Sequence, residues 1–154
     1  RDCGGGTRNI TMSDQARAVF QEYVDQLNLT MRGGRGDRTK VMAEDYHFVI
    51  SGQPPACLEA KSLKEIRQMQ DSETFSLMEV GDPDFGIYIE EFIGDGNRMA
   101  ALGRSRGETT SGLPYLNTYL FVFEVRDGKL VELIEDCDSS HSATHFFDLE
   151  LLPA

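Results

Sequence analysis

Histidines, cysteines, carboxylates and phenols are the side chains with chemistry to offer. His141 and His145 stand one helical turn apart, with Asp138 just ahead of them, so on a helix their rings share a face. Two imidazoles and a carboxylate fall short of a complete ligand shell, and no metal is expected. Cys3, Cys57 and Cys137 are an odd, widely spaced set without a CxxC pair, which suggests neither a disulfide framework nor a zinc site. Reduced thiols of a cytoplasmic protein are the simplest reading. The carboxylates Glu132, Glu135, Asp136 and Asp138 form a run that can face water as an acidic surface or, where one is desolvated, exchange protons near neutral pH. If the preceding segment is a strand, alternation puts Tyr115, Asn117, Tyr119, Phe121 and Phe123 on one face and Leu116, Thr118, Leu120 and Val122 on the other. Asn117 and Tyr119 can then donate hydrogen bonds to a carbonyl or enolate oxygen, or pack an aromatic stripe. Tyr23 and Tyr46 have the same two options. No phosphate loop, GxGxxG after a strand, GxSxG or HExxH is present, so no nucleotide and no other cofactor is implied.

The elements that must position these groups are legible in the spacing. Ser13 reads as an N-cap ahead of Ala16, Val19, Phe20, Tyr23, Val24 and Leu27, the i, i+3, i+4, i+7 pattern of one apolar helical face. After the glycine-rich loop 32–36, Asp37 can cap a short second helix carrying Val41 and Met42. Residues 46–50 read as a strand, closed by Ser51-Gly52-Gln53-Pro54-Pro55. Ser62-Leu63-Lys64-Glu65 is a capping box for a third helix over 63–71. Beyond it the β-formers take over, in strands expected at 74–80, 85–93, 98–110, 115–126 and 129–136. Gly94-Asp95-Gly96-Asn97 and Arg126-Asp127-Gly128-Lys129 suit tight hairpins. Residues 141–152 form a tail with a short helical turn. Helices first and an antiparallel meander after them is the α+β pattern, helices on one face of a curved sheet.

The 154 residues carry 26 Asp and Glu against 15 Lys and Arg, a formal charge of −11. One domain, spanning 13–154, accounts for that length, with 1–12 a disordered leader or expression remnant. The acidic balance argues against nucleic-acid binding, which relies on clustered Lys and Arg. No apolar run approaches the ~20 residues that span a bilayer, so no membrane is expected as a partner. The sequons at Asn9 and Asn28 and the Arg35-Gly36-Asp37 triplet read as chance matches and a flexible turn, since no export signal precedes them.

Gly103-Arg104-Ser105-Arg106-Gly107, the run from Gly112-Leu113-Pro114-Tyr115 through Phe121-Val122-Phe123 to Arg126-Asp127-Gly128-Lys129, and Glu135 and Asp138 beyond it, together resemble the SnoaL-like and ketosteroid-isomerase-related families. Ala43-Glu44-Asp45-Tyr46-His47-Phe48 and Gly52 extend the resemblance over about residues 13–140. The resemblance implies the cone-shaped α+β fold of nuclear transport factor 2, three N-terminal helices on the concave face of the sheet, and an apolar pocket between them. In the polyketide cyclases and limonene-type epoxide hydrolases of this superfamily a pocket carboxylate lies seven residues beyond the last hairpin glycine, which is Glu135 here. A bulge in that strand would turn it outwards. The cyclases' pocket histidine would fall on Phe121, marking that face as the pocket face while removing the imidazole. The epoxide hydrolases' tyrosine and asparagine would fall on Phe48 and Ile50, which cannot hold a water, and their Arg-x-Asp near Leu102 and Arg104 does not match. His47 has the opposite parity to Phe48 and should point away from the pocket.

The expected function is therefore a cofactor-independent isomerase, cyclase or lyase, with Glu135 as general acid–base and Tyr23, Tyr46, Phe48, Asn117, Tyr119 and Phe121 around an apolar small molecule. The alternative is a non-catalytic ligand-binding or dimerisation module of the same fold. A homodimer through the other face of the sheet is implied, with Leu116, Leu120 and Val122 near its twofold axis.

Overall fold

Thr11 opens the first helix. Its hydroxyl accepts from the Asp14 amide and the Asp14 carboxylate accepts from the Thr11 amide, a reciprocal cap that satisfies two otherwise orphaned donors. Helix α1 (Met12–Met31) follows, with Ala16, Phe20, Tyr23, Val24 and Leu27 buried along one face. Ser13, expected to be the cap, is already inside the helix; its hydroxyl instead meets Asp95 and accepts from the Gly96 amide at 2.8 Å, pinning the start of α1 to a distant hairpin. The structure is a computed structural model that describes residues 11–54, 56–70, 82–109 and 112–146. Residues 1–10 of the expected leader, Cys3 among them, and the expected strand at 74–80 lie outside them, while Thr11 and Met12, expected in the leader, are the cap and first residue of α1.

Two expectations need correcting after α1. The second helix is a single 3-10 turn, Arg38–Val41, capped by the Asp37 carboxylate on the Thr39 amide. Thr39 and Val41 are β-branched and lose χ1 freedom in a helix, and Met42 already belongs to strand β1 (Met42–Ile50). A short β2 (Leu58–Ala60), not foreseen, precedes α2 (Leu63–Gln70), where Ser62 Oγ accepts from the Glu65 amide as the sequence indicates, while the Glu65 carboxylate accepts from the Lys61 amide (2.7 Å) and not from that of Ser62. The remaining elements are β3 (Gly86–Ile93), β4 (Arg98–Arg106), β5 (Thr118–Arg126), β6 (Lys129–Cys137) and α3 (Ser139–Phe146). Strand β4 stops short of 110 because Gly107 sits at φ +134° against Phe85, where a Cβ would come within 2.7 Å of that residue's backbone. The expected turn in the tail is the two-turn helix α3.

The six strands form one mixed sheet in the order β2-β1-β6-β5-β4-β3, parallel only between β1 and β6. Asp127 and Gly128, at φ 52° and 73°, give the β5–β6 hairpin the doubly left-handed turn its sequence asks for. Helix α1 lies on one face, where Phe20 stacks on Phe123 at 4.2 Å and leans on Phe121 at 5.2 Å. The inward set is the one alternation selects: Tyr119, Phe121 and Phe123 are buried, while Leu116 and Leu120 are 67% and 44% exposed. Among the described residues no helix is long and apolar enough to cross a membrane.

Candidate functional site

The direction in which Glu135 points is decided by a bulge. Val125 pairs with Leu130 but Glu124 pairs with Glu132, leaving Val131 unopposed. Counting by twos from the buried Leu130 would put Asp136 inside and Glu135 outside. The extra residue resets the count, so Leu133 and Glu135 face inwards opposite Phe123 and Phe121. The bulge that was expected to expose Glu135 thus has the contrary effect.

Glu135 is 8% exposed, and no described side chain hydrogen-bonds its carboxylate. Loss of hydration pushes its pKa up to about 7, with the charge of Arg38 pulling back. Arg38 was not singled out in the sequence, where it reads as one cation in a basic loop. The 3-10 turn inserts it into the interior at 5% exposure, over the Tyr23 ring (5.9 Å) and donating to the Tyr23 hydroxyl (3.4 Å). Helix α1 supplies Tyr23, and β1 supplies Tyr46 and Phe48, whose rings stack at 6.1 Å. The Tyr46 hydroxyl is buried without a hydrogen-bond partner. It lies beside Tyr23, close enough for each phenol to alter the other's acidity. Burial raises the pKa of Tyr23, and those of Tyr46 and Tyr119 well above the usual value, Arg38 opposing this at Tyr23 and Tyr46. All three phenols therefore stay protonated donors at neutral pH. Near that pH Glu135 divides between acid and base.

Asn117 is committed elsewhere. Its amide donates to the Tyr115 hydroxyl (2.9 Å), the Asp138 carbonyl (3.1 Å) and Ser142 Oγ (3.2 Å), and its carbonyl accepts from the Asp138 amide (3.1 Å). These bonds fasten α3 to the chain ahead of β5 and leave no donor for a ligand. Tyr119, whose hydroxyl is 3.1 Å from that of Tyr115, joins this network to the surroundings of Glu135, whose charge it feels. Phe121 is fully buried beside Glu135 as an apolar wall. His47 is half-exposed on the outer side, 3.0 Å from Glu59. The His141 and His145 rings lie 4.0 Å apart, tilted by 41°, and among the described residues no group of three metal-ligating side chains converges. Cys57 and Cys137 are free thiols, and burial pushes Cys137 up to about 11. A separate open groove of about 480 Å³ runs along the outer side past Leu116, Leu120, Asp136 and Asp138, away from Glu135.

Residues 20–133 match the family model of the SnoaL-like domain. Comparison with curated proteins finds no sequence match. Among solved structures, the chain is similar to a provisionally assigned SnoaL-like polyketide cyclase from Jannaschia sp. CCS1, at 13% identity over 94% of this chain and 100% of that one, TM-score 0.68. It is similar to a provisionally assigned isomerase from Bacillus subtilis at 17% identity over 90% and 97%, TM-score 0.68. AclR, a provisionally assigned hydroxylase from Streptomyces galilaeus, aligns at 15% identity over 92% and 86%, TM-score 0.63. At such identities the likeness is one of fold, and function has to be argued from the site.

Proposed function

Since the chain belongs to the SnoaL-like domain family, a fold of small-molecule-binding and catalytic proteins, we propose that it is a cofactor-independent isomerase, cyclase or lyase acting on an apolar carbonyl compound. The observation that carries this reading is Glu135: a buried carboxyl group without a hydrogen-bond partner, with a pKa of about 7. As the carboxylate it removes a proton from the carbon next to a carbonyl. The electron pair moves onto the carbonyl oxygen, which accepts a hydrogen bond from the unpartnered Tyr46 hydroxyl, with Tyr23 held alongside by Arg38. Protonated Glu135 then returns the proton to another carbon, completing an isomerisation, or to a leaving group or ring-closing oxygen. Phe48 and Phe121 supply the apolar walls that keep water from quenching the enolate. Asn117 and Tyr119 hold the wall in place and are not the oxygen's donors.

Deuterium exchange tests this directly. Steroid, polyketide and terpenoid ketones that raise the melting temperature are incubated with protein in D2O, and label at the α-carbon is followed by mass spectrometry. The Glu135→Gln variant should lose about 100-fold or more in exchange rate while still being stabilised by the ligand. Equal exchange by both proteins would remove Glu135 from the chemistry. Stabilisation without exchange by either would favour a non-catalytic binding module, a reading to which Phe121 lends weight by standing where the cyclase resemblance places a histidine.

The outer face of the sheet is read as a homodimer surface. Ile93, Ala100, Val122, Ile134 and Val49 are register partners in one apolar row crossing five strands. Arg98, bonded to Glu124 and Glu132, rims it on one side. The free thiols accord with a cytoplasmic location.

A further inference from the structure

Helix α3 fully buries none of its residues, and only Phe146 packs half-buried against the core. Polar bonds and one ring add to that hold. Tyr115 lies under it, stacked on His141 (5.0 Å) and edge-on to His145 (5.6 Å) and Phe146 (4.7 Å). The Tyr115 hydroxyl bonds Ser142 (2.9 Å) and also Tyr119 (3.1 Å), the residue next to Glu135 on the interior face. The His141 and His145 rings are 4.0 Å apart. His141 Nε2 is buried without an acceptor, while His145 Nδ1 is turned back to the His141 carbonyl (2.9 Å).

We propose that α3 is an acid-released latch at the Tyr119 end of the Glu135 site: docked while His141 is neutral, freed when it takes up a proton. A proton on His141 Nε2 finds no acceptor among the described residues in the docked position, and the His145 ring stands 4.0 Å away. Among the described residues the groups facing the pair are few. Ahead of α3, Asp138 favours protonation, but its Oδ1 already accepts from the Ser140 and His141 amides (3.0 and 3.1 Å). Strand β6 contributes the Cys137 thiol, and the chain before β5 contributes the Tyr115 phenol, both uncharged across this range. Burial and His145 hold His141 below its ordinary value of 6.5 against the pull of Asp138. The docked helix therefore binds fewer protons than the free one, so docking is strongest above pH 6.5 and weakens as the pH falls below it. Release breaks the Ser142–Tyr115 bond, loosens Tyr119 and opens that end of the site. On the reading of Glu135 as the working group, the latch would make substrate entry depend on acidity.

Amide exchange by NMR, corrected for intrinsic rates, reads the latch with no substrate present. From pH 7.5 to pH 5.0 the α3 amides should lose protection several-fold or more, with α1 and β5 unchanged. His141→Gln should keep them protected at pH 5.0; His141→Asn does the same should the first variant not fold. At pH 5.0 carbodiimide should label Glu135 several-fold faster in the wild type than in the variant. Protection of α3 that does not change with pH, or that falls equally in both variants, overturns the latch. Equal labelling of Glu135 in wild type and variant refutes its control of access. Neither result bears on whether Glu135 transfers protons, which the deuterium experiment decides.

Discussion

Glu135 exacts a stability cost that can be measured. Folding raises its pKa from 4.5 to about 7, so the folded state binds more protons than the unfolded state between those values. The protein accordingly loses stability as the pH rises through that window and regains it as the pH falls. Replacing Glu135 with Gln removes the penalty. At pH 8 the variant should be more stable than the wild type by up to about 3 kcal/mol, and the difference should shrink towards zero near pH 4.5, as checked by denaturant titration at both pH values. A variant less stable at pH 8 would mean that the carboxylate is not desolvated. Gain of stability together with loss of exchange is the signature of a residue kept for chemistry. Arg38, which moderates this cost, was invisible in the sequence because nothing in a basic loop tells a buried guanidinium from a solvated one; only the 3-10 turn decides it.

At the scale of elements, side chains substitute for missing backbone partners. Asn28, on the inner side of α1, donates to the Ile87 carbonyl (2.8 Å) and accepts from the Ile87 amide (2.7 Å), filling one rung along β3, the outermost of the described strands on that side. Asn28→Ala would leave both buried backbone groups unsatisfied and should destabilise by about 2–4 kcal/mol in chemical denaturation; a loss below about 0.5 kcal/mol would show that water replaces the amide. The same residue heads a glycosylation sequon, yet its geometry is that of a tie between helix and strand. Periodicity gave away α1, the hairpin after β5 and the inward aromatic row, because long amphipathic patterns and Asp-Gly turns are local signals. The length of β1, the existence of β2 and the facing of Glu135 were hidden, since each depends on which strand pairs with which and on one unopposed residue, Val131. Asn117 shows the same limit from the other side. Its place on the inner face was readable, but its four hydrogen bonds to α3 and Tyr115 were not.

For the molecule as a whole, the apolar row on the outer face of the sheet sets the expectation of assembly. Val122→Lys, placed at the middle of the apolar row, should convert a dimer to a monomer in sedimentation equilibrium without changing the thermal transition of α1 and the core; a wild type that is monomeric at every concentration would dismiss the interface. The order of strands carries a consequence of another kind. The first long strand of the chain, β1, has its parallel neighbour in the last, β6, and the groups around Glu135 are gathered from both. On the ribosome, β1 leaves the exit tunnel long before its partner exists, with Tyr46 and Phe48 uncovered throughout. Such long-range closure makes folding slow and places it after most of the chain has been synthesised, so the apolar side of β1 stays without its strand partner until Cys137 has emerged.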